Sequence, residues 1–147
     1  MATILVVDDD PALRALIRLV LEAEGHEVAD APSGERALAR VAENPPDLVL
    51  LDLMMPGMDG WRFLDELHLR GLRSHTRVVI VSALSDTETV ARGKVRGAHA
   101  HIVKPFEVEA LLEAVDTALQ DDPEDLLARQ GRMGDLATLL QALDEAD

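Results

Sequence analysis

Five short, mainly apolar, strand-like runs at residues 4–7, 28–31, 48–51, 78–81 and 100–103 recur along the chain, each followed by a helix-length segment. A run such as 48–51, with no polar alternation, suits a strand buried on both faces, the usual state of a parallel sheet. Between the runs the apolar period changes. Leu13, Leu16, Ile17, Val20 and Leu21 recur at helical spacing, with Asp10 as N-cap, Pro11 at the first helical position and Gly25 past the end. Ser33 caps a helix to about residue 43, which Asn44-Pro45-Pro46 ends. Helices are predicted at 60–69, 86–96 and 108–119, with a polar loop at 71–76. Five strands alternating with five helices imply βαβ units: an α/β, doubly wound, five-stranded parallel sheet with helices on both faces. The 147 residues allow one such domain, expected at 1–119, and an acidic C-terminal extension at 120–147.

In sheets of this kind ligands bind beyond the carboxyl ends of the strands, so the residues at those ends matter most. The first run leads into Asp8-Asp9-Asp10, the third into Asp52, the fourth into Ser82 and the fifth into Lys104. Taken singly, each has a plain explanation: helix caps, a solvated loop carboxylate, a hydroxyl satisfying loop backbone, a surface ammonium. The fold, however, brings these exits into one crevice. Carboxylates of Asp8, Asp9 and Asp52 at about 4 Å would repel pairwise by about 4 kcal/mol at an effective dielectric of 20. Such a pocket protonates or recruits a cation. A hard divalent ion with oxygen ligands, Mg²⁺ or Mn²⁺, fits the donors. Asp52 is then placed to accept a phosphoryl group as a carboxylate nucleophile. Lys104 would neutralise a phosphoryl oxygen and the Ser82 hydroxyl would donate to another.

Composition narrows the alternatives. A formal charge of −14 argues against direct nucleic-acid binding, which needs a basic footprint. Phe63, Phe106 and Trp61 are the whole aromatic set, too few for a base-stacking platform. Without cysteine there are no disulfides and no thiolate metal sites. No apolar run approaches a membrane span, and the N-terminus does not read as a signal peptide, so a cytoplasmic location is expected.

The stretches Ile4-Leu5-Val6-Val7-Asp8-Asp9, Asp52 followed by Met55-Pro56-Gly57-Met58-Asp59-Gly60, Val81-Ser82-Ala83 and Lys104-Pro105-Phe106 strongly resemble the receiver domain of bacterial two-component response regulators. The likeness runs from residue 3 to about 119. It implies the flavodoxin-like strand order 2-1-3-4-5, with Asp52 as phospho-acceptor, Asp9 as a direct metal ligand and Asp8 acting largely through water on the metal. It also implies the Met54 backbone carbonyl as a further ligand, Ser82 as switch hydroxyl and Lys104 as phosphate-binding lysine, with a cis Lys104–Pro105 bond. The implied partners are a histidine kinase or phosphotransfer protein as donor and a downstream protein as target. The implied role is switching, with the chain catalysing only its own phosphorylation and dephosphorylation. The switch position on the fifth strand, usually tyrosine or phenylalanine, is His101, a smaller ring of a residue type that can gain a proton. Signalling is therefore expected to weaken when His101 is protonated, and a His101→Phe variant with an unchanged pH response would refute that. Met54 and Leu84 border the path of hydrolytic water in this family, and their bulk is expected to lengthen the phosphoryl lifetime.

Two features stand outside this pattern. His99 and His101 share a strand face but have no third ligand near in sequence, a weak basis for zinc. Residues 120–147 hold eight acids and two arginines, and Leu136, Leu139, Leu140 and Leu143 fall at helical spacing. That segment is too short and acidic for a DNA-binding output domain. A helix folded back on the receiver, a homodimer seam and a docking surface stay open. Two rival functions also stand. One is a haloacid-dehalogenase-type phosphatase with Asp8 as nucleophile and Asp10 as general acid, against which Ala12 stands where Thr or Val is usual and Asp52 goes unexplained. The other is a degenerate receiver serving as a scaffold.

Overall fold

The computed structural model describes residues 2–120. The elements run β1 Thr3–Val7, α1 Pro11–Ala23, β2 Glu27–Ala31, α2 Gly34–Glu43, β3 Leu48–Leu51, α3 Gly60–Leu69, a 3-10 turn Arg73–His75, β4 Arg77–Ser82, α4 Thr87–Val95, β5 Ala100–Val103 and α5 Val108–Gln120. All strand pairs are parallel and the sheet order is β2-β1-β3-β4-β5. This is the architecture expected from the alternating runs and the resemblance. The expected helix at 136–143 and its alternatives lie outside the described residues.

The unbroken apolar runs feed two cores, because successive strand side chains point to opposite faces. Leu5, Val7, Val49, Leu51, Val78 and Ile80 pack with Ala37, Leu38 and Val41 of α2 and Phe63, Leu64 and Leu67 of α3. Ile4, Val6, Leu48, Leu50, Val79 and Val81 pack on the other face with Ile17 and Leu21 of α1 and Leu111, Val115 and Ala118 of α5. Each buried aliphatic side chain contributes about 1.5–3 kcal/mol, so the central strands form a stiff base for whatever stands at their ends. The helices begin where side-chain acceptors cover the first free N–H groups: Asp10 on α1, Ser33 on α2, Asp59 on α3 and Asp86 on α4.

Two expectations need correction. Leu16, counted in the apolar stripe of α1, is 46% exposed, while its neighbour Ile17 is buried. A helix flanking a sheet buries one stripe, and adjacent residues point about 100° apart. The segment 71–76, read as a polar loop, buries both Arg73 and Thr76. The Arg73 guanidinium donates to the carbonyls of Thr76 at 3.0 Å, Arg96 at 3.3 Å and Gly97 at 2.6 Å. Thr76 Oγ1 donates to Pro46 O at 3.0 Å. Polar side chains are tolerated inside because they are hydrogen-bonded there, although burial pulls the Arg73 guanidinium down to about 10.

Helix α4 is the least anchored. Its one buried residue is Gly93, where a Cβ would come within 2.9 Å of Ile80 Cδ1, so the glycine lets the helix lie close to β4. Its other ties are polar: Arg92 sits 4.3 Å from the Trp61 ring centroid, and Arg96 stacks at 5.6 Å while pairing with Asp65. No helix among the described residues is long and apolar enough to cross a membrane.

Candidate phosphoryl and metal site

Three strand exits are fixed by one extra rung of backbone hydrogen bonding each. The Asp8 N–H donates to Ala31 O at 3.2 Å, the Asp52 N–H to Val7 O at 3.0 Å and the Lys104 N–H to Ser82 O at 2.9 Å. The sheet ladder thus extends one residue past β1, β3 and β5, and that residue carries the functional group. Gly60 closes the loop after β3: its N–H donates to Leu53 O at 3.0 Å, and a Cβ there would meet Asp52 O at 2.5 Å and Leu53 Cα at 2.8 Å. Only glycine lets α3 start this close to Asp52.

The side chains converge. One oxygen from each of Asp8, Asp9 and Asp52 lies within 4.8 Å of the other two, the one such cluster of metal-binding side chains among the described residues. Asp8 and Asp52 are 2% and 5% exposed, and Asp9 faces solvent. Lys104 Nζ reaches between the buried pair, 2.6 Å from Asp8 Oδ2 and 3.4 Å from Asp52 Oδ2. Asp8 Oδ1 accepts from the Asp10 N–H at 2.9 Å and Asp52 Oδ1 from the Met54 N–H at 3.3 Å. The Asp52 carboxyl is pushed above its ordinary value by burial and by the Asp8 charge, with Lys104 and the Met54 N–H opposing. Burial pulls the Lys104 ammonium down, but its hydrogen bond to Asp8 and the Asp52 charge carry it above the usual lysine value.

This donor set is all carboxylate oxygen with one open, exposed member. It fits a hard divalent cation and not a soft one. No third ligand among the described residues joins His99 and His101 into a comparable group. The Lys104–Pro105 bond is cis, as the resemblance implied. Ser82 is fully buried, and its Oγ accepts from the Leu84 N–H at 3.2 Å. His101 is half-buried, its Nε2 2.7 Å from Leu84 O. The Leu84 peptides therefore connect the hydroxyl at the end of β4 to the imidazole on β5. Asp10 is engaged as the α1 cap, accepting from the Ala12 and Leu13 N–H groups.

Sequence reasoning did not find the Leu84 bridge, which is made by backbone atoms and leaves no trace in residue type. It also passed over Arg14, whose guanidinium donates to Asp8 O at 2.6 Å and to Asp30 Oδ2 at 3.1 Å. The signal was present: Arg14 and Arg18 stand one turn apart on α1, and Asp30 interrupts the run of small apolar residues at 28–31.

Comparison with known proteins agrees with this geometry. Residues 4–116 match the response regulator receiver domain family. The DNA-binding response regulator MtrA of Mycolicibacterium smegmatis is 40% identical over 128 residues, covering 85% of this chain and 55% of that protein. Sporulation initiation phosphotransferase F of Bacillus subtilis is 37% identical over 112 residues, covering 76% of this chain and 89% of that protein. The solved structure of chemotaxis protein CheY4 of Vibrio cholerae superposes with a TM-score of 0.75 at 30% identity, covering 80% of this chain and 98% of that one. The chain spans little more than half the length of MtrA. An acid cluster, a hydroxyl and a lysine at the ends of parallel strands, matched to this family across residues 4–116, make the chain a member of the response regulator receiver domain family.

Proposed function

We propose that this chain is a phosphorylatable switch whose phospho-acceptor is Asp52. The observation that carries this reading is the near-complete burial of Asp52 with Lys104 at 3.4 Å and oxygens of Asp8 and Asp9 within 4.8 Å. A carboxylate in that position is rigid, approachable from the strand-end side and surrounded by charge complementary to a phosphoryl group and its cation. Asp8, Asp9, Asp52 and the Met54 carbonyl would hold Mg²⁺ or Mn²⁺. When bound, the ion neutralises the crowded carboxylates and the charge on the transferring phosphoryl oxygens.

The donor is a phosphohistidine on a histidine kinase or phosphotransfer protein. An Asp52 oxygen attacks phosphorus; the new P–O bond forms as the P–N bond breaks, and the imidazole leaves with the bonding pair and takes a proton from solvent. Lys104 moves its donors toward the incoming phosphoryl oxygens, and Ser82 turns its hydroxyl to another. Hydrolysis reverses the state: water attacks phosphorus, inorganic phosphate leaves and the Asp52 carboxylate is restored. Met54 and Leu84 line the open groove over the loop after β3, where their apolar surface slows the approach of that water.

Recruitment of Ser82 withdraws the acceptor of the Leu84 N–H, and the loop that holds His101 through Leu84 O shifts with it. The surface of α4, β5 and α5 then presents a different face to a downstream protein. The chain catalyses its own phosphorylation and dephosphorylation and acts by switching partners in the cytoplasm. Intact-protein mass spectrometry after incubation with acetyl phosphate and Mg²⁺ tests the reading. One phosphoryl mass that requires Mg²⁺ and is lost in Asp52→Asn supports it. No adduct from acetyl phosphate or from any phosphohistidine donor favours a scaffold. An adduct lost only in Asp8→Asn favours the phosphatase.

A further inference from the structure

The Asp8 carbonyl oxygen belongs to the peptide that joins Asp8 to Asp9, so whatever grips it orients both acids together, because the peptide is planar. Arg14 grips it at 2.6 Å from one guanidinium nitrogen and holds Asp30 Oδ2 at 3.1 Å with Nε. Arg18 stands 3.7 Å from the other Asp30 oxygen. The other side of Asp8 is fixed by its N–H on Ala31 O. The Arg14 side chain is only 15% exposed, so solvent has little share in these bonds.

We propose that Arg14, held by Asp30, is a positioning residue for the cation site. It fixes the Asp8–Asp9 peptide so that the two carboxylates are presented in the geometry the ion needs before it arrives. A planar fork bridges the carbonyl and the carboxylate from two separate nitrogens held in fixed geometry, whereas a lysine would have to reach both from one ammonium. The obvious objection is charge: a guanidinium this near the site should repel a divalent cation. Its pairing with Asp30 at 3.1 Å opposes that field, and the variants below separate charge from geometry. Asp30 in turn keeps Arg18 as a partner when Arg14 is removed, so the loss of Arg14 does not expose a bare carboxylate. Groups outside the coordination sphere that orient ligands in this way affect metal affinity about 10–100-fold.

The inference rests on the proposed reading for the identity of the cation site, and its test separates the two. Mg²⁺ is titrated calorimetrically into the full chain as wild type, Arg14→Met, Arg14→Lys and Asp30→Asn, with metal-free melting curves for each. Arg14→Met is expected to weaken Mg²⁺ binding about tenfold, with Arg14→Lys and Asp30→Asn weakening it in the same direction by smaller factors. Phosphoryl incorporation from acetyl phosphate should recover in Arg14→Met at saturating Mg²⁺, a defect in affinity and not in transfer. Unchanged Mg²⁺ affinity with a lowered melting temperature would make Arg14 a fold-stabilising residue and overturn the proposal. Tighter binding in Arg14→Met with no change in Arg14→Lys would mean that the guanidinium acts as a charge, which also overturns it. If Arg14→Met does not fold, unchanged affinity in both Arg14→Lys and Asp30→Asn overturns the proposal in its place. Wild type that binds Mg²⁺ but takes no phosphoryl group overturns the functional reading alone; wild type that binds no Mg²⁺ overturns both.

Discussion

Lys104 stands 2.6 Å from Asp8 and 3.4 Å from Asp52, so in this state the lysine is engaged first with the acid that the family pattern assigns to the metal. It serves as an internal counter-ion to a carboxylate that is almost wholly buried. On the proposed reading, a divalent cation held by these carboxylates would take over that task and free the ammonium for Asp52.

Lys104→Met therefore has a stability cost as well as a chemical one. It leaves Asp8 buried without its ion-pair partner, and removing one partner of a buried pair costs about 3–5 kcal/mol. Since the ammonium is partly exposed, about 2 kcal/mol is expected at neutral pH without metal. Added Mg²⁺ should recover part of the loss, as thermal melting with and without the ion will show. The pH dependence has a definite sign. The folded value is raised above 10.5, so the ion pair's contribution is complete below that pH and is lost as pH rises through the folded value. Wild type should lose an alkaline increment of stability that Lys104→Met lacks.

Asp52→Asn should act in the opposite sense on the metal-free protein. The folded Asp52 carboxyl is raised above 3.8 by burial and the Asp8 charge, so its ionised form is disfavoured by folding. The penalty is absent below the unfolded value, grows as pH rises from there to the folded value and is complete above it. The asparagine variant is expected to melt above wild type at neutral pH without Mg²⁺. The difference should close as pH falls toward about 3.8, and melting curves across that range check both statements.

Gly60→Ala tests how tightly the loop after β3 is built. The added methyl would lie 2.5 Å from Asp52 O and 2.8 Å from Leu53 Cα, both backbone atoms that cannot rotate away. Overpacking of this kind costs about 1–3 kcal/mol. The displacement reaches the peptide of Asp52, the proposed acceptor, so phosphoryl incorporation should fall along with the melting temperature.

Arg73→Met removes the donors from the carbonyls of Thr76, Arg96 and Gly97. Leaving such groups unsatisfied inside the protein costs about 1–3 kcal/mol each, and partial access of water should hold the total to about 3 kcal/mol. Hydrogen exchange should locate the effect: amides of α4 and the 96–98 turn should exchange faster, with those of β1 and β3 following only the global loss.

The sequence exposed the sheet, the strand exits and the acid–hydroxyl–lysine set because each follows from residue type at a periodic position. Asp52 could be placed at a strand end from the Pro56, Gly57 and Gly60 that follow it. Which half of each apolar run faces which helices could not be read, because Leu48–Leu51 is apolar at every position and carries no phase. Arg73 looked like loop surface because its partners are carbonyls, which every residue has. Leu16 looked like core because apolarity does not say which stripe of a helix meets the sheet. The His101 to Leu84 bond was hidden for the same reason as the Arg73 contacts: one side of it is main chain.

The uneven covering of the sheet has a mechanical consequence. Around Asp52 the backbone is clamped between two packed faces, whereas β5 is an edge strand with no fully buried residue and α4 rests on one glycine and a few polar ties. Charge placed at the stiff centre meets a hard anvil on the β1 and β3 side and a compliant rim on the other. On the proposed reading, any displacement it drives would run outward to that rim, its direction set by how unevenly the sheet is covered before any partner arrives.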